Sequence, residues 1–145
     1  MAPKFSIVIP AYNEANRIGR SINKIREYFK NKRISYGIIV VNDGSKDTTL
    51  KILKELARKY KEVKVLGDNI NRGKGYAVKT GVLGSSGDYI LFTDADLSTP
   101  IEELDNLFKY IKGGYDVAIG SRSIDKSKVK LKQPFYRRFL GNMLR

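Results

Sequence analysis

Phe5-Ser6-Ile7-Val8-Ile9-Pro10-Ala11-Tyr12-Asn13-Glu14 (FSIVIPAYNE, residues 5–14) is an apolar run that breaks into polar residues, and its reading decides the fold. Phe5 to Pro10 reads as a buried strand, apolar on both faces rather than alternating, as in a parallel sheet covered on both sides. Helical spacing follows at once. Ile18, Ile22, Ile25 and Phe29 recur every three or four residues, so Glu14 to Lys30 reads as a helix with one core face. The couplet then repeats. Gly37 to Val41 (GIIVV) is a second strand, followed by the stripe Leu53, Leu56, Ala57 and Tyr60. Val63 to Leu66 is a third, followed by Ala77, Val78, Gly81 and Val82. Tyr89 to Thr93 (YILFT) is a fourth, followed by Ile101, Leu104, Leu107, Phe108 and Ile111. Thr99-Pro100-Ile101-Glu102 suits the start of that last helix, with a capping Thr, Pro in the first turn and Glu three residues past the cap. Gly113-Gly114 stops it, and Asp116 to Gly120 (DVAIG) reads as a fifth strand. This alternation predicts an α/β fold with a mainly parallel central sheet flanked by helices.

The chain has 145 residues, the size of one domain, with no His, Cys or Trp. Disulfides, thiol nucleophiles and imidazole bases are therefore excluded, and any metal must rest on oxygen ligands, which favours Mg²⁺ or Mn²⁺. The net charge of +13 is uneven: residues 121–145 hold eight basic groups and one acid. Such an excess points to an anionic partner, whether nucleic acid, anionic lipid or a phosphate-bearing ligand. Past Ser121 the pattern changes. Lys126, Lys128, Lys130 and Lys132 read as a loop, and Phe135, Phe139, Leu140 and Met143 as an amphipathic helix. The expected organisation is a core over 1–122 and a basic, membrane-facing segment over 123–145. With no apolar run near the ~18 residues of a spanning helix and no signal peptide, the expected location is cytoplasmic, peripheral to a membrane.

In open parallel sheets, ligands bind beyond the carboxyl ends of the strands. Every such end here is polar. Asp94-Ala95-Asp96 is the sharpest: two carboxylates this close ionise comfortably only beside a cation or donors. A divalent ion on oxygen ligands is one counter-charge, and an Asp capping the next helix is the plainer alternative. Tyr12 offers a ring face to a base, and Glu14 and Asp43 can accept from ring N–H groups or ribose hydroxyls. A helix start and an Asx turn would equally account for them. Asn71-Arg72-Gly73-Lys74-Gly75 interleaves two cations with glycines, so that Arg72 and Lys74 can face phosphate or acidic side chains, or simply form a turn. It matches neither the Walker spacing nor the dinucleotide fingerprint. Arg122 follows the fifth expected strand and suits a phosphate or diphosphate.

Taken together, PAYNE at 10–14, VVNDGSKDTT at 40–49, NRGKGYAVKTG at 71–81, DADLSTP at 94–100 and GSR at 120–122 resemble family 2 glycosyltransferases. The likeness is to dolichyl-phosphate (polyprenyl-phosphate) sugar synthases, and to the glucosyl branch before the mannosyl. It implies a GT-A-type nucleotide-sugar-binding fold, incomplete at the C-terminus, hence a truncated catalytic domain. It implies that Pro10, Tyr12, Glu14, Val41 and Asp43 surround the nucleoside, that Asp94 and Ala95 line the sugar nucleotide, that Asp96 ligates Mg²⁺ or Mn²⁺, and that Arg122 faces the diphosphate or sugar. The catalytic set expected from it is Asp94, Asp96 and Arg122. The implied reaction is inverting transfer of glucose from UDP-glucose to a polyprenyl or dolichyl phosphate. Mannosyl transfer from GDP-mannose, or transfer to a saccharide, are the enzymatic alternatives. One departure stands out: Asn42 occupies the first position of the family's usual Asp-Asp-Gly-Ser. A basic nucleic-acid- or membrane-binding module is the non-enzymatic alternative. Against nucleic acid, the cations lack an interleaved stacking surface and the acids gather at strand ends.

Overall fold

The structure is a computed structural model that describes residues 2–120. The chain divides into two compact units, residues 1–103 and 104–145. The first is built from β1 (Phe5–Ala11), α1 (Ile18–Lys32), β2 (Tyr36–Asp43), α2 (Thr49–Lys59), β3 (Val63–Asp68), α3 (Lys74–Leu83) and β4 (Tyr89–Phe92), closing with a 3₁₀ turn at Ile101–Glu103. The second contains α4 (Leu104–Lys112). All strand pairs are parallel, in the order β3-β2-β1-β4. The expected alternation of strand and helix is borne out.

β1 is central, and Ile7, Val8 and Ile9 are all fully buried, which is why its sequence does not alternate. α1 buries the expected stripe Ile18, Ile22, Ile25 and Phe29. The helix starts at Ile18 rather than Glu14, because 14–17 form a turn in which the amides of Arg17 and Ile18 donate to the Glu14 carbonyl. α3 meets the sheet through its smallest residues, Ala77 and Gly81, one turn apart. A Cβ at Gly81 would overlap the Val8 side chain, so this glycine sets how closely the helix approaches β1. Val82, expected on that face, is exposed instead.

The fifth strand is not formed among the described residues. Residues 116–120 join no ladder, and Val117 and Ile119 are exposed. A β-branched run expresses its preference only through cross-strand packing, and here it has no neighbour in the described sheet. The last helix also opens differently from expectation: its first turn is 3₁₀, with the Glu103 amide donating to the Pro100 carbonyl. No helix among the described residues is long and apolar enough to cross a membrane.

Candidate active site

The carboxyl ends of β1, β2 and β4 and the start of α3 surround a cleft of about 460 Å³. β1 and the turn after it supply Pro10, Ala11, Tyr12 and Glu14; β2 supplies Asp43; the β3–α3 segment supplies Asn71, Gly73 and Lys74; the loop after β4 supplies Asp94, Ala95 and Asp96. Four carboxylates and one ammonium thus face the same space, in a chain whose net charge is strongly positive.

The loops that carry these groups are tied together by side chains bonding to neighbouring backbone. Asn13, in the left-handed region at φ 55°, accepts from the amides of Lys46 (2.8 Å) and Asp47 (3.3 Å), while its own amide donates to Ser45 Oγ. The Glu14 amide donates to the buried Thr49 Oγ1 at 2.8 Å. Asp43 is buried, and both its oxygens accept backbone amides across the cleft: Oδ1 from Arg72 (2.8 Å) and Oδ2 from Gly73 (2.9 Å). Gly44, at φ 70°, lets that segment lie against the end of β2, because a Cβ there would overlap the backbone of 70–71.

Asn42 now has a physical role. It is 2% exposed; its Nδ2 donates to the Asp68 carbonyl at 2.9 Å and its Oδ1 accepts the Ser45 amide. An ionised aspartate has no hydrogen to give that carbonyl, so the amide suits this position.

Tyr12 is 44% exposed at the mouth of the cleft, with its ring available to a ligand. Glu14 Oε2 is enclosed and is held in an ion pair by Arg17 Nε 2.5 Å away. Lys74 Nζ contacts Asp94 Oδ1 at 2.7 Å. Asp96 Oδ1 accepts from both the amide and the hydroxyl of Ser98, closing an Asx turn around Leu97, which sits at φ 49°. The Ser98 hydroxyl bond holds the Asp96 carboxyl below the usual range, with Arg17, 3.9 Å from Oδ2, acting the same way. Asp96 does not cap the next helix, which begins at Ile101; one of its oxygens closes the Asx turn, and the other is free of hydrogen bonds among the described residues.

Two expected contacts do not line this cleft. Val41 is buried beneath it, packed with Ile39, Ala77 and Leu66. The Arg72 guanidinium turns away to Asp68, 2.6 Å from Oδ2, and to the Tyr76 ring; only its amide serves the site, through Asp43. Arg122 lies outside the described residues. Conversely, Asn13, Arg17 and Asn71 were not singled out. Arg17 was legible only as a cation three residues past Glu14, a spacing that brings two side chains together on a helical turn.

Among the described residues no three carboxylates gather to cage a metal. The donor set nonetheless fits a hard cation that keeps most of its shell for ligand and water: Asp94 Oδ2 and Asp96 Oδ2 make no hydrogen bond among the described residues, and both residues line the cleft.

A parallel sheet with a carboxylate-lined cleft at its carboxyl rim is the architecture of a ligand-binding α/β protein. The sequence profile of glycosyl transferase family 2 matches residues 6–144, and the chain belongs to that family. It is 35% identical over 146 residues to a dolichyl-phosphate beta-glucosyltransferase of Trichomonas vaginalis, a match covering 94% of this chain and 45% of that protein. It is 38% identical over 138 residues to the dolichol-phosphate mannosyltransferase of Pyrococcus furiosus, covering 95% and 38% respectively. Among solved structures, a mannosyltransferase from Pyrobaculum calidifontis in complex with GDP-Man and Mn²⁺ superposes with a TM-score of 0.63 at 27% identity, over 77% of this chain and 33% of that one. The fold is GT-A, as the resemblance implied. The chain spans under half the length of these curated relatives.

Proposed function

We propose that this chain binds the donor in an inverting hexosyl transfer from a nucleoside diphosphate sugar, UDP-glucose favoured, to a polyprenyl or dolichyl phosphate. The observation that supports it is the convergence of Asp94, Asp96 and Lys74 on a cleft whose other wall holds Tyr12, Glu14 and Asp43. Tyr12 offers its ring to the base. The Glu14 carboxylate, its Oε2 paired with Arg17, lines the same wall and can accept from a ring N–H or a ribose hydroxyl. Asp43 has a second lone pair on each oxygen, but its first duty is to seat the segment that presents Lys74.

Asp94 and Asp96 would hold Mg²⁺ or Mn²⁺, which when bound supplies positive charge to the leaving diphosphate. The chain's own contribution there is Lys74, whose ammonium lines the same cleft beside Asp94 and would face the phosphates, with Arg122 assigned to them by the family likeness. In the reaction, an oxygen of the acceptor phosphate attacks the anomeric carbon from the face opposite the diphosphate. The new C–O bond forms as the old one breaks, and its electron pair leaves with the nucleotide. The acceptor is already an anion at neutral pH, so no base need remove a proton, which accords with a chain that has no His. The basic residues 121–145 would draw the site to anionic head groups at a cytoplasmic membrane surface, each cation contributing ~1 kcal/mol.

Thermal shift and calorimetry against UDP-glucose, GDP-mannose and UDP-N-acetylglucosamine, each with and without Mn²⁺, test the reading. Stabilisation by UDP-glucose that needs Mn²⁺ and disappears in Asp96→Ala, with the fold intact by circular dichroism, is the expected result. A preference for GDP-mannose would transfer the proposal to the mannosyl branch. Unchanged affinity in Asp96→Ala would remove the metal role.

A further inference from the structure

Each aspartate of the Asp94–Asp96 pair already has a protein cation beside it: Lys74 Nζ is 2.7 Å from Asp94 Oδ1, and an Arg17 guanidinium nitrogen is 3.9 Å from Asp96 Oδ2. We propose that Lys74 is a resident counter-ion that disfavours a divalent cation alone and is handed over to the donor's diphosphate, so that metal and donor bind cooperatively. The inference rests on the donor-site reading above.

Three features carry it. The first is charge. The cleft presents Glu14, Asp43, Asp94 and Asp96 against Lys74 and the Arg17 that pairs with Glu14, so a diphosphate arriving by itself still meets net negative charge. A divalent ion arriving by itself must compete with the Lys74 ammonium for Asp94. With the two together, the metal's charge offsets the diphosphate's, and the ammonium, moved onto a phosphate oxygen, leaves Asp94 free to face the metal.

The second is accessibility. The Lys74 and Asp94 side chains are 61% and 48% exposed, and an ion pair that open to water contributes little, so exchanging it for a phosphate contact is easy. The third is anchoring. Lys74 is the first residue of α3, and the preceding Gly73 amide is fixed to Asp43 Oδ2, so the base of the side chain stays put while its flexible stem moves. The ammonium also lies 5.3 Å from the exposed Phe92 ring, an open surface rather than a socket.

The test is a Mn²⁺ titration of the full chain, free Mn²⁺ being read by electron paramagnetic resonance, with calorimetric titration of UDP into Mn²⁺-saturated protein as the second arm. Couplings between two sites commonly run from about five- to 150-fold. Lys74→Met is expected to bind Mn²⁺ alone roughly five- to tenfold more tightly than wild type and UDP at saturating Mn²⁺ more weakly by a similar factor. Lys74→Arg, which keeps the charge, should track wild type in the metal-only arm. Melting curves check that the variants fold. If wild type binds UDP with Mn²⁺ but Lys74→Met takes Mn²⁺ alone no more tightly, the counter-ion role is overturned and the donor site stands. If wild type takes up neither UDP nor Mn²⁺ in any arm, the donor reading fails and this inference with it.

Discussion

The two ends of the sheet treat charge in opposite ways. At the amino end, ionic and aromatic groups are spent on one another. Arg26 Nε meets Glu62 Oε1 at 2.7 Å, the Tyr36 hydroxyl donates to the same oxygen at 3.2 Å, and the Arg26 guanidinium lies 3.3 Å above the Tyr60 ring. Phe29 closes that end, its ring 4.8 Å from Tyr36 and 5.6 Å from Phe5. At the carboxyl end, backbone amides are satisfied by Asn13, Asp43 and Thr49, while Asp94 and Asp96 each keep an oxygen that makes no hydrogen bond among the described residues. Stability is concentrated where charges are cancelled, and binding capacity where they are left over.

The largest effect should come from the closed end. Phe29 is fully buried, so Phe29→Ala removes an aromatic side chain from a packed cluster and should cost about 3–5 kcal/mol, read by chemical denaturation. At temperatures where the variant remains folded, UDP affinity with Mn²⁺ should match wild type. A parallel loss of affinity would mean that the two ends are coupled and the contrast is false.

A smaller effect, placed at the open end, sharpens the comparison. Asp43→Asn keeps the shape but turns one acceptor into a donor facing the amide of Arg72 or Gly73. The expected cost is about 1–3 kcal/mol, since a part-buried amide loses its partner. Unlike Phe29→Ala, it should also weaken nucleotide binding, because the same segment presents Asn71, Gly73 and Lys74. Hydrogen exchange at the Arg72 and Gly73 amides reports the local loosening. Protection unchanged at both would show that Asp43 does not seat this segment.

How much of this was legible in the sequence follows from the range of each signal. The periodicity of Phe5–Pro10 and of Ile18, Ile22, Ile25 and Phe29 is local, and it located β1 and the core face of α1. Strand-end position predicted a polar rim, and Pro10, Tyr12, Glu14, Asp43, Lys74, Asp94, Ala95 and Asp96 do line one cleft. What failed depended on three-dimensional partners. The direction of the Arg72 side chain is set by Asp68 four residues earlier, and the depth of Val41 by the close approach of α3; that Lys74 can face an acidic side chain was legible, and contact across the sheet selects Asp94. The strand expected at 116–120 needed a neighbour that its own composition does not supply. Asn42 stood out only as a departure from Asp-Asp-Gly-Ser, because the partner that explains it, the Asp68 carbonyl, belongs to the adjacent strand.

The smallest predicted effect returns to the amino end and is a matter of sign. Burial pushes the Glu62 carboxyl up, but the Arg26 hydrogen bond and charge outweigh it and hold Glu62 below its ordinary value. A carboxyl depressed in the folded state stabilises the protein above its unfolded pKa, about 4.3 for Glu, and this contribution is lost as pH falls through the folded value. Glu62→Gln keeps a hydrogen-bonding side chain but removes the charge. It should therefore lower stability by about 1 kcal/mol at pH 7, modest because both partners are only partly buried. The difference from wild type should shrink as pH drops below about 4.3, where the unfolded chain's glutamate takes up its proton first, and vanish below the lower value at which folded Glu62 takes up its own. The acid sensitivity that remains in the variant should then be that of Asp47, Asp68 and Asp96, whose carboxyls are depressed chiefly by hydrogen bonds from Thr49, Arg72 and Ser98 at the carboxyl end. Melting curves of both proteins from pH 3 to 7 measure it. A gap that stayed constant down to pH 3 would mean that Arg26 and Glu62 are held together by packing over the Tyr60 ring, with charge contributing nothing to the closed end.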